Sequence, residues 1–351
     1  MDGQEIKETL QKIEKVTSQI KETTNHKKAK IIFVFPGQGS SGAVPLDHLM
    51  QHLPVFKKYI EKADEILKKQ NIDIKAILKK GKTETTPQEQ AFSIVYGTAM
   101  AKQYIAYGIK PDAMIGHSVG EISAYAIAEM LPYEKAVTYA YKRAVEMDKI
   151  TNKGVMMAVQ KPYQQTTKEI ENYTTLSLAS INDELTCVIS GDIKEIKKLE
   201  INLDKQEIKH KRLRVHIAAH SSLLEPTLKN IDKIEIGEIE EPQIPIYSTI
   251  TGDRFTMDIL RDPQWKSKHC RNTVEFLSAL KKIKKDNAGE KMMFIEFSVH
   301  RVLAPSGMKT IKDSIWLGCS SMSKYRELKS TEYCFSKGIE ETLETIKKQI
   351  T

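Results

Sequence analysis

Cysteine, arginine and long apolar runs are all scarce in this 351-residue sequence. The four cysteines are widely spaced with no C-x-x-C pair, so we expect reduced thiols and neither a disulfide framework nor a zinc site. The nine histidines show no metal-ligand spacing such as H-E-x-x-H, and we expect no metal. No stretch reaches the roughly 20 apolar residues of a membrane span, and residues 1–30 are too polar for a signal peptide. These absences predict a cytoplasmic protein with no membrane partner.

Positive charge comes almost entirely from lysine. Of the 54 basic residues, 46 are Lys and eight are Arg, and the formal net charge is +8. This charge suits an anionic partner such as a nucleotide-bearing cofactor, an acidic carrier protein or nucleic acid. A lysine-rich solvated surface is the simpler interpretation, because the lysines are scattered along the chain. With 40% hydrophobic and 28% charged residues, the composition is that of a folded globular protein.

The N-terminal region predicts one amphipathic helix. Residues 4–28 carry apolar side chains at helical spacing among many Lys and Glu. We interpret residues 1–29 as a linker or docking helix ahead of the main domain. The alternative is that this helix packs on its own domain.

Strand and helix patterns alternate in the region that follows. The apolar run 31–35, bounded by Pro36, is typical of a strand buried on both faces. Further strand patterns lie at 113–115, 245–250 and 293–297. Helix patterns lie at 54–69, 88–107, 121–130 and 133–149. This order predicts an α/β core with a mainly parallel sheet.

Residues 154–216 show a different pattern of predicted elements, in the order βαββαβ. That order is the ferredoxin-like arrangement, so we predict a small inserted subdomain over these residues. Residues 30–153 and 217–351 then form the large core.

The sequence Gly116-x-Ser118-x-Gly120 stands between a predicted strand and a predicted helix. In that setting a tight turn exposes the serine hydroxyl at a helix N-terminus, and the glycines avoid clashes. Ser118 is therefore a candidate nucleophile, although an ordinary glycine-rich turn has the same pattern.

A nucleophilic serine needs a histidine within hydrogen-bond reach. His117 adjoins Ser118, but side chains at adjacent positions point apart, so it cannot readily serve. His220 follows a strand pattern where the chain returns to the core, and it is the better candidate. A loop histidine with a purely structural role is the alternative for His220.

The loop Gly37-x-Gly39-x-x-Gly42 formally matches the dinucleotide-binding fingerprint. That hypothesis needs a helix to begin at once, yet Pro45 follows closely. No strand ending in Asp or Glu appears about 20 residues later. The sequence therefore disfavours a dinucleotide site.

Ordered motifs cover about residues 30–335. The most specific are Phe33-Val34-Phe35-Pro36-Gly37-Gln38-Gly39-Ser40, Gly116-His117-Ser118-Val119-Gly120-Glu121, Ala219-His220-Ser221, Val188-Ile189-Ser190-Gly191 and Phe294-Ile295-Glu296. In order and spacing they resemble the malonyl-CoA:acyl-carrier-protein transacylase family and the acyltransferase domains of polyketide synthases. The resemblance implies a hydrolase-like core with a ferredoxin-like insertion, in agreement with the strand and helix patterns. It also implies a ping-pong acyl transfer.

The resemblance implies a role for each main candidate. Ser118 would attack the donor thioester, and His220 would be the base, oriented by a backbone carbonyl. The backbone N–H groups of Gln38 and Val119 would form the oxyanion hole. Arg143, 25 residues after Ser118, matches the arginine that binds the malonyl carboxylate.

The resemblance also implies pocket-lining positions, which are Gln90, His117, Asn182, Ala219 and His300. Ala219 belongs to a tetrad that departs from the family's usual ones, and it removes bulk from the pocket. An α-substituted malonyl unit, carrying a hydroxyl, amino, methoxy or methyl group, is therefore a live hypothesis.

The implied substrates are a coenzyme A thioester or a phosphopantetheinyl carrier thioester, with an acyl carrier protein as acceptor. No bound cofactor and no nucleic-acid partner are expected. Residues 320–351 resemble the linker that follows acyltransferase domains, so these residues and the N-terminal helix favour contact with other synthase domains. Polyketide or hybrid polyketide-peptide assembly is the first hypothesis and a fatty-acid malonyl transacylase the second. A serine acyl hydrolase with an editing role and a catalytically silent docking module have less support.

Overall fold

A six-stranded sheet forms the centre of the protein in the computed structural model, which describes residues 2–22, 29–320 and 329–350. Its strands are β1 (Lys30–Phe35), β2 (Ala113–Gly116), β7 (Ile246–Ser248), β8 (Asp253–Arg254), β9 (Met292–Glu296) and β10 (Ile315–Gly318). The strand order is β10-β9-β1-β2-β7-β8, and only the pairing of β7 with β8 is antiparallel. The predicted mainly parallel sheet is confirmed.

The central position of β1 explains its uninterrupted apolar sequence. It pairs with β2 on one side and β9 on the other, for example through Phe33 opposite Met114 and Ile295. Successive side chains face opposite sides of a sheet. Phe33 therefore packs in one apolar core, while Ile32 and Val34 pack in the core on the other face. The strand is buried on both faces, as predicted.

Helices cover both faces of this sheet and extend beyond it. In chain order they are α1 (Asp2–Glu22), α2 (Leu46–His52), α3 (Pro54–Lys68), α4 (Ile74–Lys80), α5 (Thr86–Ala106), α6 (Gly120–Ile127), α7 (Tyr133–Met147), α8 (Tyr163–Ile170), α9 (Ile193–Lys205), α10 (Glu225–Asp232), α11 (Asp258–Arg261), α12 (Trp265–Arg271), α13 (Phe276–Asp286), α14 (Ala304–Thr310) and α15 (Thr331–Ile350). A short 3₁₀ turn spans Ser222–Leu224. The predicted α/β class is confirmed.

A separate antiparallel sheet lies between residues 155 and 212. Its strands are β3 (Val155–Val159), β4 (Ser177–Asp183), β5 (Thr186–Gly191) and β6 (His210–Arg212), in the spatial order β4-β5-β3-β6. With α8 and α9 they give the predicted chain order βαββαβ. Met157 and Val159 of β3 pack in this sheet's own core, whereas Met156 and Ala158 face the other way. The boundaries 154 and 216 stay a prediction.

The N-terminal helix packs against the C-terminal helix, which is the second of the two alternatives drawn from the sequence. Lys329 pairs with Glu5 at 2.6 Å and Lys347 donates to Gln19 at 2.7 Å, so α1 and α15 run parallel. The buried apolar residues of the two helices include Ile13, Val16, Ile20, Ile339, Leu343, Ile346 and Ile350. Residues 23–28 of the predicted helix lie outside the described residues.

The predicted linker region 320–351 contains α15, whose Phe335 and Leu343 are fully buried. Residues 321–328 and Thr351 lie outside the described residues. Within the described ranges, no helix combines the length and apolar character that a membrane crossing requires.

Candidate active site

Ser118 lies in a strained turn at the carboxyl end of β2. Its φ of 52° is in the left-handed region, which a serine adopts only when its surroundings enforce it. A Cβ at Gly116 would lie 2.2 Å from the Glu121 nitrogen, and one at Gly120 would lie 2.0 Å from the Phe35 oxygen. No side chain fits at either glycine, and α6 begins at Gly120. The chain therefore makes the predicted strand-turn-helix transition.

The hydroxyl of Ser118 faces His220. Ser118 Oγ lies 2.7 Å from His220 Nε2, and His220 Nδ1 lies 2.8 Å from the carbonyl oxygen of Asn272. Because a carbonyl only accepts, Nδ1 carries the proton and Nε2 has a free lone pair. Burial, together with the positive charge of Arg143, lowers the pKa of His220 from its usual 6.5 to about 3. A neutral base therefore sits beside the serine hydroxyl at neutral pH.

Two backbone N–H groups near this turn are unused. Neither Gln38 nor Val119 donates a backbone hydrogen bond to any residue that the structure describes. Val119 directly precedes α6 as its N-cap residue, and the Gln38 loop packs on the Ser118 turn. A Cβ on the neighbouring Gly37 would lie 2.8 Å from the His117 oxygen and 3.5 Å from Ser118 Cβ. Two free donors at the turn can stabilise a developing oxyanion.

The same loop does not form a dinucleotide site. The helix that such a site needs at once begins only at Leu46, as α2. The glycine at position 37 has a packing role instead, because it allows the loop to contact the Ser118 turn.

Arg143 is completely buried on α7, and its side chain is only partly hydrogen-bonded. Its Nη1 donates to Nδ1 of His269 at 3.2 Å, while Nε and Nη2 have no partner among the described residues. His269 in turn donates from Nε2 to the Ser118 carbonyl at 3.0 Å. Burial, with Arg143 nearby, lowers the pKa of His269, which keeps the ring neutral. Two unpaired donors on one guanidinium fit a carboxylate.

A cavity of about 360 Å³ lies over Ser118 and His220. Its remaining walls include the Gln38 loop, the antiparallel sheet with residues 213–215 after it, and α14 with residues 302–303 before it. The candidates His117, Asn182 and Ala219 also line it.

His117 ties the Ser118 turn to the antiparallel sheet. Its Nε2 lies 3.0 Å from Oδ1 of Asn182 on β4. Burial lowers the pKa of His117 to about 4, so its ring is neutral at pH 7. The hydrogen bond of this ring nitrogen is with Asn182, whereas the Ser118 hydroxyl is paired with His220.

Two predicted pocket residues, Gln90 and His300, are not among the side chains that line this cavity, and neither is the buried Arg143. Their roles at the pocket stay predictions. Gln90 is buried on the face of α5 that meets α7, where its Nε2 lies 3.5 Å from the Met147 sulfur. The ring of His300 packs against Gly42, where a Cβ would lie 2.6 Å from its Nε2. Helix packing in the first case and loop packing in the second take these side chains away from the cavity.

Three residues near the site were missed by the sequence analysis: Asn272, His269 and Glu121. Glu121 is fully buried, and its carboxylate accepts hydrogen bonds from the Ser248 hydroxyl at 2.7 Å and the Thr249 N–H at 2.9 Å. It thereby joins the start of α6 to the end of β7. Its place directly after the second glycine of the motif was the available signal. Asn272 contributes only a carbonyl, which any residue could supply.

Comparison with known proteins places this chain in one family. The family model for the acyl transferase domain matches residues 32–333. This chain belongs to the acyl transferase domain family. Among solved structures, the acyl transferase domain of SpnD, in complex with 2-(pent-4-yn-1-yl)malonyl, superposes with a TM-score of 0.82. The two are 20% identical, over 92% of this chain and 78% of that one.

Two other relatives of this acyl transferase domain are informative. A malonyl CoA-acyl carrier protein transacylase from Clostridium perfringens has a TM-score of 0.77 at 21% identity, over 91% of this chain and 98% of that one. The non-reducing polyketide synthase pks27 of Aspergillus flavus is 29% identical over 280 residues, which cover 78% of this chain and 14% of the synthase. The chain thus matches a small part of that synthase's length. Among the described residues, no group of His, Cys, Asp and Glu side chains could hold a metal ion.

Proposed function

We propose that this chain transfers a malonyl-class acyl group from a thioester to the phosphopantetheine thiol of an acyl carrier protein, through an ester on Ser118. The donor is a coenzyme A thioester or a carrier-protein thioester, in polyketide or hybrid polyketide-peptide assembly. The observation that carries this proposal is the 2.7 Å contact of Ser118 with a neutral His220, beside a buried Arg143 with two unpaired donors.

In the first half-reaction, Ser118 Oγ attacks the thioester carbon as its proton moves to Nε2 of His220. The carbonyl oxygen becomes an oxyanion, held by the N–H groups of Gln38 and Val119. The intermediate then collapses, the carbon–sulfur bond breaks, and the leaving thiolate takes the proton from His220. The low pKa of His220 makes its protonated form a strong acid, which favours this last transfer.

The second half-reaction is the reverse with a different thiol. The carrier's phosphopantetheine thiol gives its proton to His220 and attacks the Ser118 ester. The tetrahedral intermediate expels Ser118 Oγ, which recovers the proton from His220. No cofactor takes part, because bond making and bond breaking balance within the two thiols and one hydroxyl.

Arg143 supplies the preference for a dicarboxylic acyl group. A malonyl carboxylate would accept hydrogen bonds from its Nε and Nη2, which are buried without partners. Charge-assisted hydrogen bonds of this kind contribute about 1.5–3 kcal/mol each. An acetyl group has no carboxylate to accept hydrogen bonds from Nε and Nη2. The buried guanidinium then stays without partners, so an acetyl thioester is disfavoured as the acyl donor.

The cavity wall favours an α-substituted malonyl group as a second candidate donor. The wall contains several small or apolar side chains, which are Met156, Ala158, Ala179, Val188 and Ala219. An apolar substituent on the α-carbon could be buried against them, at a gain of about 0.8 kcal/mol per methylene.

The test is the intact mass of the protein after brief incubation with single donors. The donors are malonyl-CoA, α-substituted malonyl-CoAs, acetyl-CoA and malonyl groups carried by an acyl carrier protein. We expect an adduct from a malonyl-class donor, no adduct in Ser118→Ala, and release of the group on addition of carrier thiol. Labelling only from carrier-bound donors would identify the carrier as donor.

Two results would contradict the proposal. One is an adduct that persists in Ser118→Ala, since this would place the acyl group elsewhere. The other is the absence of any adduct from all donors. Hydrolysis of the adduct faster than transfer to carrier would favour the editing hydrolase.

A further inference from the structure

The Gln38 loop is held by contacts whose role the proposed function does not explain. Ser40 Oγ donates to the Gly37 carbonyl at 3.0 Å, and Ser93 Oγ lies 3.4 Å from the same oxygen. In a planar trans peptide the C=O and the following N–H point in opposite directions. Because the Ser40 and Ser93 hydroxyls hold the Gly37 carbonyl, the Gln38 N–H of the same peptide points away from these hydroxyls.

The next peptide is held by Glu89. Glu89 Oε1 accepts a hydrogen bond from the Gly39 N–H at 2.6 Å. Gly39 has a φ of 86°, and no heavy atom would lie within 4 Å of a Cβ built on it. Open space therefore lies on that side of Gly39, and the bond to Glu89 is a contact that orients this peptide.

Glu89 is well placed to act as a rigid anchor. It belongs to α5, and its side chain is 1% exposed. Its second oxygen, Oε2, is buried without a hydrogen bond and lies 3.8 Å from Nε2 of His216. A buried carboxyl group with one unpaired oxygen costs stability. The hydrogen bond from the Gly39 N–H gives this buried carboxyl group a role that accounts for its loss of stability.

We propose that Glu89 is a positioning residue for acyl transfer: by holding the Gly39 N–H, it keeps the adjoining Gln38 N–H aimed at the oxyanion. This inference rests on the proposed function. Glu89 itself touches no substrate. It acts indirectly: it holds the peptide between Gln38 and Gly39, which adjoins the peptide that carries the Gln38 N–H.

The chemistry sets the expected size of the effect. Loss of one oxyanion donor costs roughly 100-fold to 1,000-fold in rate, so a misaimed donor should cost about 10-fold to 100-fold. Donor binding depends on Arg143 and the cavity walls instead. The loss should therefore appear in the maximal acylation rate and leave the half-saturating donor concentration unchanged.

The experiment compares Glu89→Met with Glu89→Gln in the full chain. Methionine keeps the length but has no strong acceptor, whereas the glutamine oxygen can accept from the Gly39 N–H. Glu84→Ala, at an exposed glutamate just before α5, is the matched control. Acylation of Ser118 by the donor that labels the wild type is followed by rapid-quench intact mass at several donor concentrations.

We expect Glu89→Met to lower the maximal rate by about 10-fold to 100-fold, and Glu89→Gln to stay within about threefold of wild type. Three results would each overturn the inference. They are a wild-type maximal rate in Glu89→Met, an equal loss of maximal rate in Glu89→Gln, and a change in the half-saturating donor concentration with no change in the maximal rate. If Glu89→Met does not fold, Glu89→Asp, whose shorter side chain withdraws the carboxylate from the Gly39 N–H, tests the same contact, and an unchanged maximal rate there would overturn the inference. Absence of acylation in the wild type would instead remove the proposed function and the inference together.

Discussion

His269 Nδ1 lies 3.2 Å from Arg143 Nη1, and the opposite edge of the same ring reaches the Ser118 carbonyl at 3.0 Å. One neutral imidazole thus connects the buried guanidinium to the backbone of the strained turn. The hydrogen-bond directions fix its tautomer, since arginine can only donate and a carbonyl can only accept. The orientation of Arg143 and the position of Ser118 are therefore set together.

Replacing His269 with leucine should loosen Arg143. Without its acceptor the guanidinium has no hydrogen-bond partner among the described residues, and it loses its fixed orientation. The half-saturating concentration of the malonyl donor should rise about 10-fold, as expected for one hydrogen bond to a charged group. Acylation kinetics from intact mass measure this, with Lys268→Leu on the exposed neighbour as control. A folded variant with unchanged donor affinity would contradict the role of His269.

Arg143→Ala should remove the preference for carboxylated donors. We expect acylation by a malonyl donor to fall by about 100-fold or more, because two charge-assisted hydrogen bonds are lost. Arg143→Lys should recover only part of this rate, since an ammonium cannot form the same fork. The measurement is competition between malonyl-CoA and acetyl-CoA for Ser118. Arg212→Ala, which breaks an ion pair with Glu200 in the antiparallel sheet, should leave the ratio unchanged.

The pH at which the acylation rate falls on the acid side should depend on the acyl donor. Burial and the charge of Arg143 hold the pKa of His220 at about 3. A bound malonyl carboxylate would neutralise Arg143, which removes one cause of this low pKa and raises it. Because protonation of His220 removes the base, the rate should fall at a higher pH with malonyl-CoA than with acetyl-CoA.

Single-turnover acylation between pH 3 and pH 7, started by a pH jump, measures this difference. In Arg143→Lys the difference should shrink, because the lysine binds the carboxylate less well. Identical acid limbs for the two donors in the wild type would contradict the coupling.

Glu89 should make the free energy of unfolding depend on pH. Burial raises the pKa of Glu89 from its usual 4.5 to about 7. Between these values the folded chain keeps a proton that the unfolded chain has released, so stability falls as the pH rises. The stabilisation is fully present below pH 4.5 and is lost by about pH 7.

Urea unfolding at pH 4.5, 6 and 7.5 measures this for wild type and Glu89→Gln. The difference between the two proteins should change by about 3 kcal/mol at most across the window. Glu84→Gln, at an exposed position, should track the wild type. A difference that does not vary with pH would show that Glu89 titrates normally.

The apolar face of α1 should contribute to stability rather than to catalysis. Val16 is 2% exposed, and Val16→Asn would bury an amide in the contact with α15. We expect a loss of about 3 kcal/mol in the free energy of unfolding. Lys15→Asn, one residue away on the exposed side, should cost little. Urea unfolding measures both, and acylation below the transition should be unchanged.

Short-range sequence signals predicted much of the fold. β1 and β2 have continuous apolar runs, and Gly116 and Gly120 mark positions where a Cβ would collide with backbone. Such constraints act within a few residues, so they are visible in the sequence. The order βαββαβ was likewise found from local periodicity. β10 was missed, since its short run Ile315–Gly318 resembles many loops.

The contacts that hold the site were much harder to foresee. His269 lies 151 residues from Ser118 in the chain, and Glu89 lies 50 residues from Gly39. Nothing in the composition near either residue distinguishes it from a surface histidine or glutamate. Gln90 and His300 show the converse case, in which the predicted pocket role stays a prediction. A resemblance in sequence located them near the site, but packing of α5 on α7 and of the first loop on His300 turned both away from the cavity.

The two faces of β3 also have a consequence for altering this protein. Met156 and Ala158 point into the cavity, whereas Met157 and Val159 point into the separate core of the antiparallel sheet. Ser118, at the end of β2, and Arg143, on α7, belong by contrast to the six-stranded sheet and the helices that pack against it. Changes at positions 156 and 158 would therefore alter the cavity and the edge of the large core on which these two side chains pack, and leave the core of the antiparallel sheet in place. In this architecture, one wall of the cavity and the Ser118–His220 pair belong to different layers of the fold.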